Sequence, residues 1–186
     1  MARIKVIQYE EANNELKSVY DDLISKRGKL SEVLKIQSLH PASIKSHVIF
    51  YMDIMFSKTA LTRAEKELIA VVVSVANGCL YCQTHHSAAL NAYWKDERRI
   101  ELLKEDYHAA SLSLKETALC NFAIHLTQHP ADHESINHTI ALKDAGLTDE
   151  GILDVVLVTS YFNFVNRMVM ALGVELENNK GEGFKY

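Results

Sequence analysis

The chain has little of what breaks a helix. Proline occurs 2 times and glycine 7 times in 186 residues, too few for the closely spaced turns of an all-β fold. Nor does it carry a strong charge of one sign. Its 20 basic and 24 acidic residues leave a net charge of -4 with the signs interspersed, which excludes the basic stripe of a nucleic-acid binder or an anionic-membrane binder. Long hydrophobic runs are missing too: the most apolar stretch, Leu68 to Ala76, is far too short to span a bilayer. The opening M-A-R-I-K-V-I-Q-Y-E-E turns acidic before a secretory signal could form. These features predict a soluble cytoplasmic chain with no membrane partner. Cysteine is scarce, at 3 residues, and in a reducing compartment so few thiols do not act as disulfide staples.

What is present is a strong helical pattern. Apolar residues make up 48% of the chain, enough for a sizeable core, and recur at three- and four-residue spacings in most segments. The pattern predicts an all-α protein of one domain over 1–186, with helices at 10–26, 31–37, 41–57, 62–76, 79–93, 96–104, 113–128, 133–145 and 148–172. Thr62 with Glu65 three residues on reads as a capping box, and Thr148 caps a later helix. Asn77-Gly78 ends one helix and frees the backbone to start another at Cys79. The segments starting at Leu61 and Leu147 align without gaps, so that Thr62 and Thr148, Ser74 and Ser160, and Asn77 and Asn163 coincide. This is a faint repeat of one helical hairpin.

The chemistry concentrates in N-G-C-L-Y-C-Q-T-H-H, residues 77–86. On a helix advancing about 100° per residue, Cys79, Cys82 and His86 share one face while His85 lies to the side. His86, one turn beyond Cys82, is placed to take a proton from its sulfur. Both cysteines fall in the first turn, where unpaired N–H groups and the positive end of the helix dipole favour thiolate. One thiolate can attack an oxidised substrate, and the other can resolve the sulfenic acid as a disulfide. A histidine in this role works best with a carboxylate to orient it. Glu67 is the candidate, because its neighbours Leu68 to Val73 look buried.

Other readings of the same residues stay open. The pair can be two inert core thiols, or can bind zinc through Cys79, Cys82, His86 and a further histidine, although one helical turn is an awkward source of three ligands. Thioredoxin-type chemistry lacks its strand. Cys120 sits in an apolar helical face as a core thiol. The segment with Tyr161, Phe162, Asn163, Phe164, Asn166 and Arg167 reads as core or subunit interface. His125, His129, His133 and His138, around Pro130, read as surface and loop histidines with no function assigned. Asp106 and Tyr107 mark a helix-to-helix connection.

Glu67, Cys79, Cys82 and His86, at this spacing, resemble the signature of the alkylhydroperoxidase D branch of the carboxymuconolactone decarboxylase superfamily. S-L-H-P-A at 38–42, A-L-T-R-A-E-K-E-L-I at 60–69 and L-T-D-E-G-I-L-D-V-V-L-V-T-S-Y-F-N-F-V-N-R at 147–167 resemble its peroxidase-related subset, and the likeness covers about residues 35–176. The resemblance implies an alkylhydroperoxidase D-like helical bundle with a repeated hairpin, a homo-trimer or hexamer, and cofactor-free, metal-free reduction of hydroperoxides in antioxidant defence. It implies that Cys82 is the peroxidatic thiol and Cys79 the more exposed resolving thiol, that His86 is the base, and that Glu67 is the far end of its proton relay. The reductant it implies is a dithiol, a lipoyl-bearing protein in the best-known branch. One departure stands out: Tyr81 occupies the place of the family's histidine between the cysteines, and a phenol titrating near pH 10 does not shuttle protons at neutrality. A redox sensor or a zinc-binding helical oligomer is the alternative function.

Overall fold

Side-chain caps set the helix boundaries of this chain. In the computed structural model, which describes residues 1–177, nine α-helices and no strand are found among the described residues. They are α1 (Asn14–Arg27), α2 (Glu32–Lys35), α3 (Pro41–Phe56), α4 (Arg63–Ala76), α5 (Leu80–Trp94), α6 (Glu97–Glu105), α7 (Leu114–Gln128), α8 (Thr139–Asp144) and α9 (Asp149–Leu172). Thr62 and Glu65 form the expected capping box at the start of α4, and Thr148 Oγ1 accepts from the Gly151 N–H at 3.2 Å ahead of α9. Ser113 and Glu116 form a second box at α7.

The two places where the helix pattern misleads have local causes. The first helix begins at Asn14 instead of 10, because Asn13 Oδ1 accepts from the Leu16 N–H at 2.9 Å and so caps α1 there; Tyr9–Glu11 forms a separate 3-10 turn. The helix expected at 133–145 divides into a 3-10 turn, Pro130–Glu134, and the short α8. Asn137 Oδ1 takes both the backbone N–H of Thr139 and its hydroxyl, a local bond that competes with helix continuation. The histidines of this segment are also not simple surface residues, since His125, His133 and His138 are half-buried and lie together.

The chain packs as two compact units, Met1–Asp53 with Met168–Tyr186 and Ile54–Arg167, and the last nine residues of the expected 1–186 domain lie outside the described residues. The first unit has a core of Leu16, Val19, Tyr20, Leu23, Leu34 and Ile44. Tyr20 is fully buried there and donates its hydroxyl to the Ile7 carbonyl at 2.8 Å. The second unit is built on α4, whose residues Lys66 to Ser74 are all buried and which packs against α5 and α7. Such all-round burial makes α4 a rigid platform for whatever it carries. At 24 residues α9 is long and apolar enough to cross a membrane. Here its Val155, Val158, Thr159, Phe162 and Asn166 are buried at 0–1% exposure, as in a core helix.

Gly78 joins α4 to α5 with φ +71, and a Cβ there would meet no atom within 4 Å. Gly78→Ala therefore adds left-handed backbone strain without a clash, and should cost about 1 kcal/mol. In urea unfolding the midpoint should fall with the slope unchanged.

Candidate functional site

The α4–α5 junction places the first cysteine. The Gly78 N–H donates to the Val75 carbonyl at 2.9 Å and the Cys79 N–H to the Ser74 carbonyl at 2.9 Å, the two bonds of a Schellman motif. Cys79 thereby closes α4 and serves as the N-cap of α5. It stands one position ahead of the helix, where the sequence pattern had placed it inside the first turn. Cys82 follows in the first turn of α5. Both thiols are free and buried, at 1% and 2% exposure.

The two sulfurs share a proton. The Cys82 S–H donates to Cys79, and although burial opposes ionisation, the backbone N–H groups of Cys82 and Tyr81 add to that bond and lower the Cys79 thiol to about 7. Cys82 moves the other way: its bond to Cys79, its burial and the charge on Cys79 all push it up, opposed by a hydrogen bond from Asn166. Of the two thiols, Cys79 is the one eased toward ionisation, at the positive end of α5. Cys120 is fully buried, and its thiol is raised by burial, consistent with a core role.

Glu67 and His86 meet as the spacing predicts. Glu67 Oε2 lies 2.7 Å from His86 Nδ1, and Glu67 Oε1 accepts from Arg63 Nε at 2.8 Å and from its terminal nitrogen at 2.5 Å. The carboxylate is fully buried. Burial alone would raise it, but His86 and Arg63 together hold it below the ordinary carboxylate range. The His86 ring is set edge-on against Phe162, with centroids 4.5 Å apart. With Nδ1 bound to the carboxylate, Nε2 is the nitrogen available for proton exchange. The sulfurs' hydrogen-bond partners are each other, the backbone N–H groups of Tyr81 and Cys82, and Asn166.

Two contributors, Arg63 and Asn166, escape the sequence pattern. Arg63, one turn before Glu67, completes the carboxylate's partners and stacks over Phe56 at 3.7 Å. Its signal was the four-residue Arg-Glu spacing. Asn166, fully buried, donates to Ser74 Oγ at 3.2 Å and accepts from Asn77 at 3.1 Å. Asn77 also donates to Asn163 Oδ1 at 3.1 Å, so the two asparagines that coincide in the repeat bond to each other. Tyr81 and His85 are buried and face one another, with ring centroids 4.5 Å apart.

Two measurements check this electrostatic arrangement. Thiolate absorbance of the parent should rise with a midpoint near the Cys79 value of about 7; Cys79→Ser should remove that step, and Cys82→Ala, which deletes the S–H donor, should move it upward. Because the Glu67 carboxyl is lowered in the folded state, its stabilisation is complete above the unfolded pKa and is lost as pH falls through the lowered value. Glu67→Gln should cost about 3 kcal/mol near neutrality, by leaving Arg63 and His86 without their anion. It should also flatten the acid limb of stability measured by urea unfolding.

Comparison with known proteins bears on the fold. Residues 45–104 match the model of the carboxymuconolactone decarboxylase family. The crystal structure of an uncharacterized peroxidase-related protein from Silicibacter sp. TM1040 is 26% identical, with a TM-score of 0.84 and coverage of 99% of this chain and 96% of that one. An alkylhydroperoxidase AhpD core protein from Ralstonia eutropha JMP134, 24% identical over 97% of this chain and 94% of its own, has the same fold at a TM-score of 0.84. Protein YdfG of Bacillus subtilis (strain 168) is 24% identical over 146 residues, 77% of this chain and 96% of that protein. The all-helical fold and the family match agree: residues 45–104 match the carboxymuconolactone decarboxylase family, and the fold is that of AhpD-like, peroxidase-related proteins.

Proposed function

We propose that the protein is a thiol-dependent peroxidase that reduces hydroperoxides through a Cys79/Cys82 dithiol cycle. The observation that carries this reading is the proton-sharing cysteine pair at the N-terminus of α5, on the same helix as a histidine whose Nδ1 is bound to a buried carboxylate. His86 takes one thiol proton, directly or through a water, and Glu67 stabilises the imidazolium. The Cys82 thiolate attacks the terminal peroxide oxygen. An S–O bond forms, the O–O bond breaks, and the departing alkoxide takes the proton from His86 to leave as alcohol. Cys79, its own proton passed to His86, attacks the Cys82 sulfenic acid. An S–S bond forms and hydroxide leaves as water with that proton. An external dithiol reduces the disulfide and restores the pair.

A lipoyl-bearing protein has the right chemistry for that reductant. Tyr81 supplies no proton shuttle between the cysteines, which makes His86 the base for both steps. Exposed apolar side chains of the second unit, Leu80 at 65% and Leu153 at 57%, suit a homo-trimer or hexamer, and the cytoplasm is the reducing setting the cycle needs.

The acidity of Cys79 favours a second order of roles, in which Cys79 attacks the peroxide and Cys82 resolves. Steady-state hydroperoxide consumption with several dithiol donors, combined with sulfenic-acid trapping, separates the two. In the first order Cys82→Ser abolishes turnover and forms no sulfenic acid, whereas Cys79→Ser forms one per chain and stalls; in the second order the two variants exchange behaviour. His86→Ala should lower the rate about 10²- to 10⁴-fold and change its pH profile. If the parent consumes no hydroperoxide with any donor, the peroxidase reading fails.

A further inference from the structure

A second group of reactive side chains stands apart from the dithiol. His125 lies in the last turn of α7, His133 in the 3-10 turn Pro130–Glu134, and His138 immediately before α8. The ring centroids of His125 and His138 are 4.1 Å apart, those of His133 and His138 4.5 Å, and those of His125 and His133 5.2 Å. One ring nitrogen from each residue lies within 4.8 Å of the other two.

The nitrogens are arranged as ligands would be. His125 Nδ1 and His133 Nε2 are 3.2 Å apart, and a tetrahedral zinc ion with bonds of about 2.0–2.1 Å sets its nitrogen ligands roughly 3.3–3.4 Å from one another. One shared hydrogen can satisfy that pair, but His138 Nε2 is buried without a hydrogen-bond partner. A buried polar nitrogen left unpaired is costly, and a metal ion would satisfy all three at once.

The surroundings also suit metal binding. The other nitrogen of His125, Nε2, lies 3.5 Å from Asp132 Oδ2, the kind of carboxylate that orients a ligating imidazole through its second nitrogen. His133 packs edge-on against Phe122, with centroids 5.3 Å apart, which restrains its ring.

We infer that His125, His133 and His138 form a binding site for a divalent transition-metal ion of the zinc type, with Asp132 as the supporting carboxylate. Imidazole-only ligation suits zinc and its borderline neighbours and disfavours magnesium or calcium, which require oxygen ligands. The ion would tie the 3-10 turn and α8 to the end of α7. The site uses none of the residues of the dithiol cycle.

The test uses the untagged full-length protein, stripped with chelator and titrated with zinc by calorimetry and with cobalt(II) by absorption. One ion per chain is expected, with a cobalt spectrum lacking a thiolate charge-transfer band and a thermal midpoint that rises with zinc. His133→Ala and His138→Ala should each weaken binding more than about tenfold, while Cys79→Ser and Cys82→Ser should bind as the parent does. The inference is overturned if the parent binds no zinc or if the folded histidine variants bind it undiminished. A thiolate band in the parent's cobalt spectrum, lost in Cys79→Ser, would likewise overturn it by assigning the ion to the dithiol. Because that spectrum is read on the parent, the test decides even if a histidine variant fails to fold.

Discussion

A carboxylate at zero exposure is the constraint around which the second unit is organised. Glu67 sits in the middle of α4 with Leu68 to Val73 beside it, all nearly without solvent contact, where an unpaired charge would cost several kcal/mol. Its ionised state survives because each oxygen has a cationic or donating partner: Arg63 on Oε1 and His86 on Oε2. That pairing ties α4 to α5, fixes which nitrogen of His86 faces the carboxylate, and orients the ring against Phe162. Had Glu67 been solvated, His86 would be a loosely held side chain with no preferred tautomer.

The dithiol depends on a second device, the short turn between α4 and α5. A Schellman motif can be followed directly by a new helix only if the linking residue takes a left-handed conformation, and Gly78 does so. The residue after it then has to close one helix and open the next, and in this chain it is Cys79. The thiol's ordinary reluctance to ionise in a buried place is offset by the N–H groups at the start of α5 and by the S–H of Cys82. The Ser74, Asn77, Asn163 and Asn166 hydrogen bonds then fasten the turn to α9 within the same unit. A buried polar network of this kind holds one arrangement firmly, because every alternative leaves an amide unpaired.

Legibility from sequence followed the range of the interaction. Thr62 with Glu65, Thr148 and the Asn77-Gly78 break were all readable, since each acts within four residues and leaves a residue-type signal. Apolar spacing extends the first helix back to 10 although Asn13 caps it ahead of Asn14, and it runs unbroken through 133–145 although Asn137 bonds to Thr139. Both are cases of a short polar side chain competing with the helix for a backbone N–H. The pairing of Glu67 with His86 was legible for a different reason: a lone acid in an apolar run has to have a partner. Asn166 gave no such sign, because an asparagine in a long apolar helix looks the same whether it faces solvent, a subunit or a thiol.

The sequence by itself determined the helices, their caps, the glycine turn and the spacing of Glu67, Cys79, Cys82 and His86, because those depend on backbone propensity and neighbours a turn away. Only the tertiary structure decided which thiol is eased toward ionisation. Acidity in the cysteine pair is a balance: the Cys82 S–H and nearby N–H groups lower Cys79, burial by distant helices raises both thiols, and Asn166 lowers Cys82. The same holds for the histidines near Pro130. Residues 125, 133 and 138 follow no helical period, and what brings their rings together is the fold of a 3-10 turn and a short helix back onto α7.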